Sequence, residues 1–98
     1  MDEKSCQRWL IAGQVQGVGY RAWMVEQARA LGLDGWVRNR ADGAVEALVL
    51  GEPASLARLQ QACRQGPRHA RVERIEVSPA PEDPPAPGSG FRQLGDGA

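Results

Sequence analysis

The hydrophobic period of this chain changes on both sides of a hairpin signal, and that alternation leaves few folds open. Residues 34–40, DGWVRNR, and 44–50, AVEALVL, read as strands, with Asp42-Gly43 between them. An Asp-Gly pair in that setting favours a tight turn, so the two strands are expected to be antiparallel neighbours. Before the hairpin, Met24, Val25, Ala28 and Leu31 recur at helical spacing from Tyr20 to Leu31, and Gly32 ends the run. After it, residues 53–66 place Leu56, Leu59, Ala62 and Cys63 on one face, with Pro53 near the start and Gly66-Pro67 at the end. Residues 7–13, QRWLIAG, supply a strand at the front, and 70–77, ARVERIEV, a strand at the back, where Val72, Ile75 and Val77 alternate imperfectly with glutamates. The order β-α-β-β-α-β predicts an α+β fold of the ferredoxin-like, split β-α-β kind. It is an open-faced sandwich in which an antiparallel sheet carries two helices on one face.

The length of 98 residues sets the domain count at one, spanning 1–98 with its core at about 8–94. Five of the seven prolines lie in 79–90, PAPEDPPAPGSG, which is expected to be a loop or tail. Beyond it, FRQL at 91–94 is a candidate short last strand, and GDGA at the end is expected to fray. Twelve basic and twelve acidic side chains cancel, so a polyanion such as nucleic acid finds no global attraction and any anion site must be local. No apolar run nears the roughly 20 residues of a membrane span. The polar, acidic start MDEKSCQRW differs from a secretory signal, so the expected compartment is cytoplasmic, with Cys6 and Cys63 reduced.

The strand at 7–13 runs into GQVQGVGYR at 13–21, three glycines and an arginine at the mouth of the first helix. A cation there is unfavourable by roughly 0.3–1 kcal/mol unless something negative accompanies it. A nucleotide-binding P-loop would need GxxxxGK[ST], and Lys4 is the only lysine of the chain. GVGYRA at 17–22 fits G-x-G-x-x-A literally, but the dinucleotide fold needs a parallel β-α-β unit where this chain turns into a hairpin. Two readings remain. The glycines permit a tight strand-to-helix turn and nothing more, or they let successive N–H groups converge on an oxyanion that the helix dipole and the Arg21 fork also hold.

Read together, GQVQGVGYR and GWVRNRADGAVEALVLG (35–51) resemble the two signature stretches of the acylphosphatase family. The first stretch matches at Gly13, Val15, Gln16, Gly17, Val18, Tyr20 and Arg21, the second at Gly35, Trp36, Val37, Asn39, Gly43, Val45 and Gly51. Softer similarity runs from about Arg8 to Leu94. The resemblance implies hydrolysis of the carboxyl–phosphate bond of small acyl phosphates, releasing inorganic phosphate, without cofactor or metal. It also implies roles by position. The backbone of Val15, Gln16, Gly17, Val18, Gly19 and Tyr20 cradles the phosphate, Arg21 binds it, and Asn39 positions the attacking water. Gln93 departs from the family pattern, standing where the last strand usually repeats an apolar residue, and is expected to lie away from the site.

So sparse a site suits the chemistry. The leaving group is a carboxylate, stable unprotonated near pH 7, and phosphoryl transfer depends mainly on holding and neutralising the phosphoryl oxygens and aligning the nucleophile. The rivals lack their reagents. A cysteine phosphatase needs Cys-x5-Arg, whereas Ala12 and His69 stand six places after the two cysteines. A metal phosphatase needs clustered carboxylates and histidines, and His69, expected to be a solvated polar residue, is the one histidine. An RNA-recognition domain needs aromatics on its central strand, and VEALVL has none. A module like the one that opens the hydrogenase-maturation carbamoyltransferases, or a non-catalytic phosphate-binding relative, stays as the alternative. Trp9, Trp23 and Trp36 are expected in the core and its rim, and Arg38, Arg40, Arg68, Arg71 and Arg74 on a solvated surface. The size suits a monomer.

Overall fold

The computed structural model describes residues 4–79 and 83–95. Seven elements follow one another: β1 (Ser5–Gln14), α1 (Tyr20–Ala30), β2 (Asp34–Asn39), β3 (Val45–Gly51), α2 (Pro53–Gln65), β4 (Arg71–Pro79) and β5 (Phe91–Gln93). The five strands form one sheet in the order β4-β1-β3-β2-β5. β3 pairs antiparallel with both β1 and β2, and β4 antiparallel with β1. These four strands and the two helices are the ferredoxin-like arrangement expected from the sequence.

β5 adds something the sequence order did not specify. It lies parallel to β2, Gly35 opposite Phe91 and Val37 opposite Gln93, so the sheet is mixed rather than wholly antiparallel. The chain reaches this edge from β4 at the opposite edge, which a long connection allows and a hairpin would not. FRQL is thus a real strand over Phe91–Gln93. Of the stretch 79–90 expected as a loop or tail, Pro79 instead ends β4, residues 83–90 contain neither helix nor strand, and 80–82 and the end of the GDGA tail lie outside the described residues.

Alternation along the strands sorts the two faces. Trp9 and Ile11 of β1 and Val45, Ala47 and Val49 of β3 join Met24 and Ala28 of α1 and Leu56, Leu59 and Cys63 of α2 in one core. Both helices therefore pack on the same face, since residues two apart on a strand point the same way. On the other face Glu46 and Leu48 are nevertheless buried. Glu46 accepts hydrogen bonds from Arg8 and Arg38 on the flanking strands, and Leu48 stands in register between Arg8 and Trp36. Arg38 also lies over the Trp36 ring, 5.4 Å from its centroid. Trp36 thus belongs to the open face, with Trp9 in the core and Trp23 packed against it. Arg38 is half-buried in an ion pair, not merely solvated. β4 is a highly exposed edge carrying Glu73, Arg74 and Glu76, charges that discourage pairing with another sheet edge.

Candidate active site

β1, β2 and β5 all run the same way, because β1 and β2 are each antiparallel to β3 and β5 is parallel to β2. Their C-terminal ends converge with the N-terminus of α1 around a cavity of about 130 Å³. Val15, Gly17, Gly19, Tyr20, Arg21 and Ala22 line it from the loop and first helical turn, Asn39 from the end of β2, and Gln93 from the end of β5. Six of the residues singled out in the sequence thus meet here. Gln16 and Val18 do not line the cavity. Val18 packs against the core, and Gln16 braces the loop from outside.

The loop has its shape because Gly17 and Gly19 adopt φ of 76° and 78°, where a side chain is strained. A Cβ at either would meet nothing within 4 Å, so conformation and not crowding demands glycine. Gly19 caps α1 without a side-chain hydrogen bond, and the first turn carries no acidic residue. Among the described residues, the N–H groups of 16–20 donate to no backbone carbonyl. The first N–H groups of a helix lack intrahelical acceptors and carry the partial positive charge of its dipole, so the start of α1 brings positive potential to this end of the sheet.

Three side chains tie the loop and the start of α1 to the elements around them. The Gln16 amide donates to the carbonyls of Arg40 at 2.8 Å and Ala44 at 3.0 Å, tying the loop to the β2–β3 hairpin beside Asn39. Tyr20 turns inward, and its buried hydroxyl donates to the Cys63 carbonyl at 2.6 Å, pinning the start of α1 to α2. Burial raises the Tyr20 phenol well above its ordinary value, so it stays a neutral donor. Arg21 Nη1 donates to the Leu94 carbonyl at 3.0 Å, which aims the guanidinium across the end of β5. Asn39 is 8% exposed at the last position of β2.

Gln93 corrects the expectation that it lies away from the site. Its departure from the family pattern falls on the cavity wall. Nothing local in FRQL signals this, because Gln93 reaches the site only through the parallel pairing of β5 with β2. The Leu94 carbonyl and the brace from Gln16 were equally invisible, being long-range contacts. Among the described residues no group of three or more His, Cys, Asp or Glu could hold a metal ion, and no helix is long and apolar enough to cross a membrane. Both cysteines are free thiols.

Comparison with known proteins converges on one family. The family model described as Acylphosphatase matches residues 7–93. An acylphosphatase of Azorhizobium caulinodans is 55% identical over 83 residues, 85% of this chain and 87% of the relative. Among solved structures, an acylphosphatase from Coxiella burnetii superposes with a TM-score of 0.83 at 31% identity, covering 93% of both chains. A full-length HypF, solved with phosphate and nucleotide bound, reaches a TM-score of 0.83 at 21% identity, with 98% of this chain matched to 12% of that one. That second likeness is one of fold.

Proposed function

This chain belongs to the acylphosphatase family and is an enzyme of that family. On that premise we propose that it acts as one domain, hydrolysing small acyl phosphates to a carboxylate and inorganic phosphate at the cavity between the glycine loop, Arg21 and Asn39. The observation that carries this reading is the meeting of Arg21, Asn39 and the loop residues Val15, Gly17 and Gly19 around one cavity at the N-terminus of α1.

In this mechanism the loop amides and the Arg21 guanidinium hold the non-bridging phosphoryl oxygens and offset their charge as the transition state forms. Asn39 accepts a hydrogen bond from a water and points its oxygen at phosphorus from the side opposite the acyl group. The water oxygen forms the new P–O bond as the bond to the acyl oxygen breaks, and the electron pair leaves with the carboxylate. An amide is too weak a base to take the water's proton, so that proton passes to a phosphate oxygen or to solvent. The carboxylate needs no acid. Benzoyl phosphate is a convenient test substrate. Hydrolysis that persists in EDTA, with competitive inhibition by inorganic phosphate, is the expected result. Activity that vanishes with the chelator and returns only with metal contradicts the mechanism.

A further inference from the structure

We propose that Asp34, outside both signature stretches and away from the cavity, is a positioning residue for Arg21 and works through β5; this rests on the assignment of Arg21 to phosphate. Asp34 opens β2 and is 4% exposed. Its two carboxylate oxygens are used separately. Oδ2 accepts the N–H of Gly88 at 2.9 Å and Oδ1 that of Gly90 at 2.8 Å. Next to it, the Gly35 N–H donates to the Gly90 carbonyl at 3.0 Å, so three hydrogen bonds clasp the end of the proline-rich connection to the start of β2.

Gly90 leads straight into β5. Four residues on, roughly 13 Å along an extended chain, the Leu94 carbonyl accepts the Arg21 guanidinium. β5 itself is short, held by its pairing with β2 and by Arg29 Nε of α1, which donates to the Phe91 carbonyl at 3.0 Å. It is three residues long at the sheet edge, with Phe91 buried and Arg92 and Gln93 exposed. Phe91 anchors it sideways in the core, and the Leu94 N–H donates to the Val37 carbonyl at 2.9 Å. A strand this short depends on its flanks for its place along β2. The Asp34 clasp supplies the upstream flank, and a shift there moves the Leu94 carbonyl and Gln93 together. Carboxylate chemistry suits the task, because one side chain offers an acceptor to each of two converging N–H groups.

The test compares wild type with Asp34→Asn and Asp34→Ala. Asparagine keeps one acceptor but turns a donor toward the other glycine N–H, and it carries the test if alanine does not fold. Three quantities are read: affinity for inorganic phosphate by titration calorimetry, kcat/KM on benzoyl phosphate, and the Arg21 side-chain N–H resonance in 15N-labelled protein. The expected result is a loss of about 10- to 100-fold in kcat/KM, the scale of a reacting group displaced by about an ångström. Phosphate affinity falls and the Arg21 resonance moves with it. Unchanged affinity and resonance, whatever happens to thermal stability, overturn the proposal by making Asp34 a stability anchor only. Weaker affinity with an unmoved Arg21 resonance also overturns it, as does a moved resonance with full affinity. A wild-type chain that neither binds phosphate nor hydrolyses the substrate fails the acylphosphatase reading instead, whereas active wild type with indistinguishable Asp34 variants fails this one.

Discussion

Arg21 and Asn39 divide the proposed chemistry so that each can be removed alone. Arg21→Ala is expected to lower kcat/KM by on the order of 10²–10³, the scale of losing a group that meets developing charge, and to weaken phosphate inhibition. Arg21→Lys keeps the charge but not the planar fork that can hold the Leu94 carbonyl and a phosphate oxygen together, so little activity returns. Asn39→Ala keeps phosphate affinity and loses kcat; steady-state kinetics with phosphate as inhibitor separates the two, and lost affinity would reassign Asn39 to binding. Cys63 makes a further prediction. Burial pushes its thiol up to about 12, the Tyr20 hydroxyl offsetting only part. At pH 8 the thiolate is then about one part in 10⁴, and the thiolate is the reactive form. Iodoacetamide should leave Cys63 unmodified until the chain unfolds, with slow labelling at half-buried Cys6, whose thiol burial also raises. Mass spectrometry of the labelled peptides decides it.

Between elements, the link that matters most to the site is the one from α1 to α2. Tyr20 is the first residue of α1, its ring packs edge-on against Trp23 at 5.4 Å, and its hydroxyl reaches the Cys63 carbonyl. Tyr20→Phe leaves the ring in place and orphans that buried carbonyl, at a cost of about 1–3 kcal/mol. Urea unfolding should register this loss, with kcat/KM falling far less than in Arg21→Ala because the loop backbone and guanidinium stay. How far the elements were legible follows from how local each signal is. Asp42-Gly43 marks the β2–β3 turn because the Asp42 side chain accepts the Ala44 N–H within the turn itself. The helical stripes mark α1 and α2 because each helix buries one face. The partner and direction of β5 leave no such trace, since a three-residue strand with one buried side chain has no period to read. That is why the sequence does not place Gln93 at the site, and why Asp34, at the start of β2, carries no sequence sign that sets it apart from an ordinary strand residue.

At the scale of the whole molecule, the proposed site and the most buried charge lie apart, one at an end of the sheet and the other on its open face, so stability and turnover should respond separately to acid. Glu46 is 3% exposed, mid-strand in β3. Burial alone would raise its carboxyl, but the hydrogen bonds from Arg8 and Arg38 outweigh that and hold it below the ordinary carboxylate value. A group depressed in the folded state stabilises the fold above its unfolded value, near 4.3 for glutamate, and this contribution fades as pH falls through the lower folded value. Glu46→Gln should therefore be less stable than wild type at pH 7, by on the order of 1–3 kcal/mol for charge-assisted hydrogen bonds lost. The gap should narrow steadily below about pH 4.3. Both guanidiniums keep about a third of their surface in water, 34% for Arg8 and 33% for Arg38, so their loss of a partner is partly offset by solvation, which favours the lower end of that range. Denaturant melts at a series of pH values give the curve, and kcat/KM at pH 7 should stay close to wild type because Glu46 does not line the cavity. A gap that stays constant or widens on acidification would mean that Glu46 is no better held in the folded chain than in the unfolded one.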